Sequence, residues 1–350
     1  MRHLIVASLI VAASSTASAE PVEPPEPGVA PVALAGEALP ETRVQPIAVL
    51  EGHVWAIPRL LEGLGDDDPV VRARCCFLLG QIGDHSVLDA LAERLDDSDR
   101  DVREFAGMAL MRMGDGRGYH ATVAAMQGNR WWVRFWAVDA VGRNLWSTSF
   151  APMLRAPDEL VRKLATEAQE RTWSPVEAQV AYAGPAEASI DEVIHYFVNY
   201  LIGETDWWWH AGDYPQILRG LETAVWLDPS YVEGFSNAAY LYWSLGRNTE
   251  AIATYRKNVH LNPDDCDAQW ELGFYYFNAQ KRYEDAIPLL RRAWELGCRP
   301  EDAHVLAHAL EHSGRTREAL ELWREFARTE PDSGVVRLNI ERLEALLGDG

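Results

Sequence analysis

The sequence predicts an all-α fold, an α-solenoid made of two successive arrays of paired helices. In the second half of the chain one position recurs at steps of 34, 35 and 33 residues: Ile217, Ala251, Ala286 and Ala319. In the first half a Val-Arg pair recurs at steps of 31, 31 and 28 residues: Val71-Arg72, Val102-Arg103, Val133-Arg134 and Val161-Arg162. Fixed periods of this length are typical of stacked helix pairs. The sequence has no run of alternating apolar and polar residues that would indicate strands.

The first 19 residues have the organisation of a secretory signal peptide. Arg2 gives the basic start, Leu4–Ala13 the apolar core and Ala17-Ser18-Ala19 a small-residue cleavage site. The apolar run is too short to span a membrane, and no Cys follows the cleavage site to carry a lipid. We therefore expect a signal peptide at 1–19, a periplasmic or extracellular mature chain, and no membrane insertion after cleavage.

The composition is strongly acidic, with 32 Lys and Arg against 53 Asp and Glu in 350 residues, a formal charge of −21. Such a charge disfavours nucleic acid and anionic lipid as partners. The apolar fraction of 48% and the 14 Trp are sufficient for a large core. Residues 20–46 contain seven Pro without any apolar periodicity, which predicts a flexible Pro-rich linker.

Residues 47–174 are predicted to form the first array. A helix-start signal lies before each Val-Arg pair: Asp66-Asp67-Asp68-Pro69, Asp97-Ser98-Asp99, Asn129 and Pro157-Asp158. The acids among them would cap a helix and favour its dipole. Small residues follow at helical spacing, among them Cys75-Cys76. These features resemble the short HEAT repeat of the subtype found in phycocyanobilin lyase-like proteins. The resemblance implies a core-facing Val and an Arg paired with an acid at a neighbouring helix start, but no lyase activity, because the subtype is widespread in proteins without it.

Residues 175–197 are expected to be a joining loop and helix between the arrays. The stretch from Pro175 to Gly184 has the composition of a loop. Ser189 is followed three residues later by Glu192, a capping-box pattern that predicts a helix start at this point.

Residues 198–347 are predicted to form the second array, in which a Gly allows the turn inside most units and a Pro stops each second helix. In the second unit the recurring positions are Phe235, Ala238, Ala239, Tyr242, Gly246, Ala251, Tyr255 and Pro263. This pattern resembles the tetratricopeptide repeat over about residues 198–331, and the resemblance implies a right-handed superhelix. The stretch from Asp332 to Leu347 is predicted to be the terminal helix that covers the last apolar face.

The sequence carries no recognisable catalytic motif. It has no Gly-rich phosphate loop, no nucleophile elbow and no paired-Cys zinc pattern, and its carboxylates fall at predicted helix starts and on solvated faces. We predict a non-enzymatic protein–protein interaction scaffold or assembly factor of the cell envelope, without a cofactor and with a protein or peptide partner. The sequence does not indicate an oligomeric state.

An alternative from a different class rests on three His at i, i+4 and i+8 of one predicted helix: His304, His308 and His312. Two His one turn apart can share a metal ion. A metal- or cofactor-handling protein is therefore a second hypothesis. The other interpretation is a polar groove face, since no fixed partner for these imidazoles is visible in the sequence.

The four Cys are expected to differ in oxidation state. Export permits a disulfide, and antiparallel helices would bring Cys266, at the start of one helix, near Cys298, just past the end of the next. Cys75 and Cys76 occupy small-residue positions of a helix, which favours buried free thiols. Both members of the 266–298 pair could equally fill core space.

The tetratricopeptide resemblance also implies a binding surface, because in that family the first helix of each unit lines a concave groove. Counted back from each turn, the groove positions are Trp209, His210, Tyr240, Trp243, Trp270, Phe274, Phe277, His304, His308 and His312. Relatives that bind chaperone tails hold a terminal carboxylate with Lys, Arg and Asn. Here Asn237 matches one such position, but Asp267 and Glu271 stand where cations would be needed. We therefore expect aromatic contacts to a partner segment, and we do not expect capture of a chain terminus. The alternative for any single ring is packing between repeats.

Overall fold

The computed structural model describes residues 53–144, 162, 188–297 and 300–348. Within these ranges the chain forms α-helices and short 3₁₀ turns without any strand, and the described helices belong to one compact unit. The predicted all-α solenoid is confirmed. The predicted signal peptide and the Pro-rich linker lie outside the described residues, as does the fourth Val-Arg pair apart from Arg162.

The first array consists of three helix pairs in the described part of the chain. Its helices are α1 Ile57–Gly63, α2 Pro69–Ile82, α3 Leu88–Glu93, α4 Arg100–Arg112, α5 Tyr119–Met126 and α6 Trp131–Asn144. The longer second helices α2, α4 and α6 stack side by side. Asp68 caps α2 by accepting from the Val70 amide at 2.8 Å, and Asp99 caps α4 in the same way through the Asp101 and Val102 amides.

In the three Val-Arg pairs that the structure describes in full, the Arg holds the loop before its own helix. Arg72 donates to the carbonyls of the preceding Asp66 and Asp67, Arg103 to the carbonyls of residues 97 and 98, and Arg134 to that of Gly128. Arg72 also forms a two-pronged pair with Asp97 at the start of the next unit, both N–O distances being 2.9 Å. The predicted pairing with a neighbouring helix start is thus confirmed for Arg72, and the loop-closing role was not predicted.

The second array consists of four helix pairs and a terminal helix. Its helices are α7 Ile190–Ala211, α8 Tyr214–Leu227, α9 Val232–Ser244, α10 Asn248–Leu261, α11 Cys266–Asn278, α12 Tyr283–Glu295, α13 Pro300–His312, α14 Thr316–Thr329 and α15 Gly334–Gly348. The turns inside three pairs use Gly212, Gly246 and Gly314 with φ of 70°, 75° and 82°. The third pair has one extra turn residue, and Lys281 takes the left-handed conformation there with φ of 53°.

Helix α7 is continuous from the predicted joining segment into the first repeat. Ser189 accepts from the Glu192 amide while the Glu192 carboxylate accepts from the Ser189 amide, so the predicted capping box is confirmed. The expected boundary between residues 197 and 198 therefore falls inside one helix. The joining helix is not a separate element, because no Gly or Pro interrupts it before Gly203 and the helix ends only at Gly212.

The first helix pair of the second array packs directly onto the first array. Trp226 of α8 stacks on Phe105 of α4, with ring centres 4.4 Å apart and planes at 19°, and meets Trp132 of α6 at 5.5 Å. Arg74 of α2 donates to the Trp226 carbonyl at 2.9 Å, and Trp136 donates to the Thr223 hydroxyl at 3.0 Å. The inner face formed by α2, α4 and α6 is therefore occupied by the chain's own helix α8.

The terminal helix α15 covers the fourth pair with one side only. Val336 and Leu343 are buried against the preceding helices. Four other apolar residues of α15 stay exposed, with exposed fractions of 38–65%: Val335, Leu338, Leu346 and Leu347. The helix thus acts as the predicted cap for the array, but its outer side is not the polar surface expected of a cap.

Candidate partner-binding groove

The first helices α9 and α11 present a run of partly exposed aromatic side chains. Tyr240 is 38% exposed, and Trp243 meets it edge-on at 5.9 Å. Trp243 also meets Tyr275 of the next pair edge-on at 5.8 Å, which fixes the indole between two hairpins. On α11, Phe274 and Phe277 are also partly exposed. These four predicted groove residues, Tyr240, Trp243, Phe274 and Phe277, have ring surface available to a partner.

Trp270 does not contribute the same surface. Its side chain is 5% exposed and stacks on Phe274 at 4.8 Å with planes at 10°. Its indole N–H has no hydrogen-bond partner among the described residues. Trp270 therefore offers little ring surface to a partner in this structure, because its ring packs against Phe274, and its role as a groove contact stays a prediction.

A second aromatic cluster lies next to the turn between α11 and α12 and joins these helices to α13. Tyr283 stacks on His312 at 4.8 Å with planes at 16°, and Phe277 meets both rings at 5.7 and 6.0 Å. Tyr283 was missed by counting along the first helices, because it is the opening residue of the second helix α12. The extra turn residue before Tyr283 was the sequence signal that could have drawn attention to this residue.

The three His of α13 each pack against aromatic rings. His304 packs on Trp323 and Phe326 at 4.8 and 5.1 Å, and its Nε2 lies 3.3 Å from a Glu330 carboxylate oxygen. His308 meets the edge of Trp323 at 5.3 Å, and burial lowers the pKa of its imidazole. Across the described ranges no group of three or more His, Cys, Asp or Glu side chains is arranged to hold a metal ion. No observation therefore favours the metal-handling hypothesis.

Within the described part of the chain, the predicted groove residues of the first helix pair, α7 and α8, make no ring contact with the aromatic side chains described above. Trp209 is 40% exposed and contacts Tyr214 edge-on at 6.3 Å, within its own hairpin. His210 is exposed, with Nε2 3.8 Å from Asp206 one turn earlier. Both predicted residues lie on the surface, and the ring contacts described for Trp209 do not join it to the rings of α9 and α11.

A hydrogen-bonded chain links the base of the groove to the HEAT-like array. Trp131 of α6 donates to the Tyr242 hydroxyl at 3.1 Å, and Tyr242 donates to the Glu222 carboxylate at 2.8 Å. Burial raises the pKa of Glu222 and of Tyr242 above their ordinary values. Arg247 lies over the Tyr242 ring, 4.7 Å from its centre. The helix α9 that carries Tyr240 and Trp243 is therefore held against the first array.

A small hollow remains on the inner face of the HEAT-like array, and its charged side chains pair with each other. It is lined by Gln81, Met108, Arg112 and Asp139 beside the aromatic cluster under Trp226. Arg112 and Asp139 form an ion pair at 2.9 Å that is mostly buried. Because the charged groups of this hollow neutralise each other, it offers less to a partner than the groove does.

The oxidation states of the described cysteines agree with the predictions from the sequence. Cys75 and Cys76 are free, buried thiols, and burial raises the pKa of Cys75 to about 12, which makes it unreactive. Cys266 is engaged in a disulfide. Cys298 lies outside the described residues, so the predicted pairing of Cys266 with Cys298 stays a prediction.

Two repeat families match the two arrays. Residues 57–142 match the model of the HEAT repeats, and residues 236–303 match the model of the tetratricopeptide repeat. A stretch of 77 residues is 27% identical to Small glutamine-rich tetratricopeptide repeat-containing protein 2 of Saccharomyces cerevisiae, covering 22% of each chain. The chain thus spans about a fifth of the length of this curated relative.

These matches support a combined HEAT and tetratricopeptide repeat protein, as the sequence predicted. Both kinds of repeat typically form scaffolds without catalysis, and tetratricopeptide repeats generally bind proteins or peptides. The described helices include none that is both long and apolar enough to cross a membrane. The described helices thus form a first array on which the second array is docked, and the second array presents the partly exposed aromatic side chains.

Proposed function

We propose that this chain is a non-enzymatic scaffold or assembly factor of the cell envelope that binds a partner protein in the groove of its tetratricopeptide array. The proposal is carried by the partly exposed rings on two successive first helices: Tyr240, Trp243, Phe274 and Phe277. Rigid aromatic side chains provide large contact area at a small cost in conformational entropy. Clusters of exposed apolar rings on a folded protein mark interaction sites.

The HEAT-like array has a supporting role in this proposal. Its inner face receives Trp226 of α8, and its last described helix holds Tyr242 through Trp131. A surface already filled by the chain's own aromatic side chain is not available to a partner. The array instead fixes the orientation of the groove, so that binding does not have to order the hairpins.

Export supports the assignment to the envelope. Arg2, the apolar core and the Ala17-Ser18-Ala19 site form the pattern of a signal peptide, and a disulfide at Cys266 suits an oxidising compartment. Fractionation of cells that produce the full chain tests this part. We expect a cleaved product in the envelope or medium; an uncleaved cytoplasmic product would contradict export.

The partner is proposed to present an internal segment to the groove. Asn237 is the single match to a carboxylate clamp, whereas Asp267 and Glu271 of α11 occupy positions where a clamp needs cations. A terminal carboxylate placed there would be repelled by these acids.

The test compares two variants of the full chain in affinity capture from the envelope fraction. Tyr240→Ala combined with Trp243→Ala removes groove rings, and Tyr119→Ala removes a ring that is 40% exposed on the HEAT-like array. We expect the groove variant to lose the proteins that both wild type and Tyr119→Ala retain, with melting temperatures close to wild type. Equal capture by all three proteins would refute the groove as the binding surface.

A further inference from the structure

The first helices of the second array carry no positive side chain. Across α7, α9, α11 and α13 the sequence contains ten Asp and Glu but neither Lys nor Arg. The Lys and Arg of this array fall on its second helices, its turns and its terminal helix. The helices that line the groove are therefore acidic and aromatic, while the cations of the array lie elsewhere.

Several of those cations are neutralised within the chain. Arg342 of α15 forms a two-pronged pair with Glu311, Arg292 pairs with Asp264 at 2.7 Å, and Arg315 pairs with Glu318 at 2.6 Å. The hydrogen bond from Arg342 lowers the pKa of Glu311 and keeps that carboxylate charged. These cations already have counter-charges and offer little to an acidic partner.

Two groove acids lack such partners. Glu233 on α9 and Asp267 on α11 are exposed, and neither has a Lys, Arg or His of the described residues within 4.0 Å. A third acid, Glu271, is close enough to Tyr255 to add to the rise in the pKa of that phenol, which is caused mainly by burial. Glu233 and Asp267 lie two helical turns before Tyr240 and Phe274 on α9 and α11, and Glu271 lies one turn before Phe274, so the acids and the rings share these two helices.

We propose that the groove binds a partner segment that carries Lys or Arg between apolar side chains. The inference rests on the proposed function of the groove and specifies its partner. Cations are attracted both by carboxylates and by the faces of aromatic rings, and the two attractions coincide here. An acidic segment would meet repulsion from α9 and α11 without any compensating cation on those helices.

The test uses three short synthetic peptides with the same apolar and Pro residues and with Lys, Gln or Glu at the charged positions. Binding of each fluorescent peptide to the full mature chain is measured by anisotropy at low and high salt. We expect the Lys peptide to bind about tenfold or more tighter than the Glu peptide, with the difference shrinking at high salt.

Matched variants separate the groove charge from the overall charge. Glu233→Gln with Asp267→Asn should weaken the Lys peptide by about three- to tenfold. Glu321→Gln with Glu325→Gln removes the same charge from two exposed acids of the second helix α14 and should change binding little. Equal loss in both double variants would overturn the inference, since attraction would then come from the net charge of −21.

The remaining outcomes distinguish this inference from the proposed function. Equal binding of the three peptides, reduced by Tyr240→Ala with Trp243→Ala, would overturn the charge preference and leave the groove as a binding surface. Tightest binding of the Glu peptide would also overturn it. Lys-peptide binding that survives loss of both rings would overturn the proposed groove itself, and binding of no peptide would count against both.

Discussion

Truncation of Trp226 should weaken the docking of the second array on the first. The ring is partly buried, stacks on Phe105 at 4.4 Å and meets Phe77 and Trp132 at 5.9 and 5.5 Å. Replacing a fully buried aromatic residue by Ala costs about 3–5 kcal/mol, and each aromatic pair adds about 0.5–1.5 kcal/mol. Because Trp226 keeps some exposure, we expect Trp226→Ala to lower the free energy of unfolding by about 3 kcal/mol.

Urea denaturation of the mature chain measures this loss, with Trp209→Ala as the matched control. Trp209 is 40% exposed and contacts only Tyr214 among the described rings, so its truncation should cost less than about 1 kcal/mol. Trp226→Ala should also make the unfolding transitions seen by fluorescence and by far-UV circular dichroism diverge, because the arrays would no longer unfold together. Equal losses in the two variants, with coincident transitions, would refute the docking of α8 on the first array.

Three further outcomes are expected. Lys281→Gly should raise the free energy of unfolding by up to about 1 kcal/mol in thermal melts, since Lys281 has a φ of 53°; a loss would mean that its side chain matters more than its backbone. Burial raises the pKa of Glu222 above 4.5, so the free energy of unfolding should fall as the pH rises from 4.5 through the raised pKa. Glu222→Gln should flatten this dependence of stability on pH. An unchanged dependence would show that the hydrogen bond from Tyr242 keeps the carboxylate ionised at no cost. Mass mapping without reductant should join Cys266 to Cys298, and a free Cys266 thiol would exclude the pairing.

Local patterns in the sequence were sufficient to predict the helices and their order. The acids before α2 and α4 and the Ser189–Glu192 pair are contacts within one turn, and the structure forms them as predicted. Such signals depend on residues close in the chain, so a single sequence reveals them. The same holds for the turn residues Gly212 and Gly246.

The docking of the arrays could not be predicted in this way. Trp226 meets Phe105 across 121 positions of sequence, and periodicity says which face of a helix is apolar but not which other helix covers it. Counting back from the first turn selected Trp209, whereas the Trp that contacts the first array lies near the end of α8. The structure therefore adds the reason why the HEAT-like face is not free.

The candidate site was predicted in part. Counting back from the turns found Tyr240, Trp243, Phe274 and Phe277, because helical spacing determines which residues share a face. It also selected Trp270, whose ring is buried under Phe274, since two positions one turn apart on one face can differ in depth. Tyr283 escaped because it belongs to the second helix of its pair.

Photocrosslinking in cells tests the central claim most directly. A photoreactive amino acid is placed singly at Tyr240 or Phe274 in the groove, or at Tyr119 on the HEAT-like array, in the full chain. The proposed function predicts a discrete crosslinked partner from both groove positions and none from Tyr119. Crosslinks from Tyr119 together with none from Tyr240 and Phe274 would contradict the assignment of partner binding to the tetratricopeptide groove.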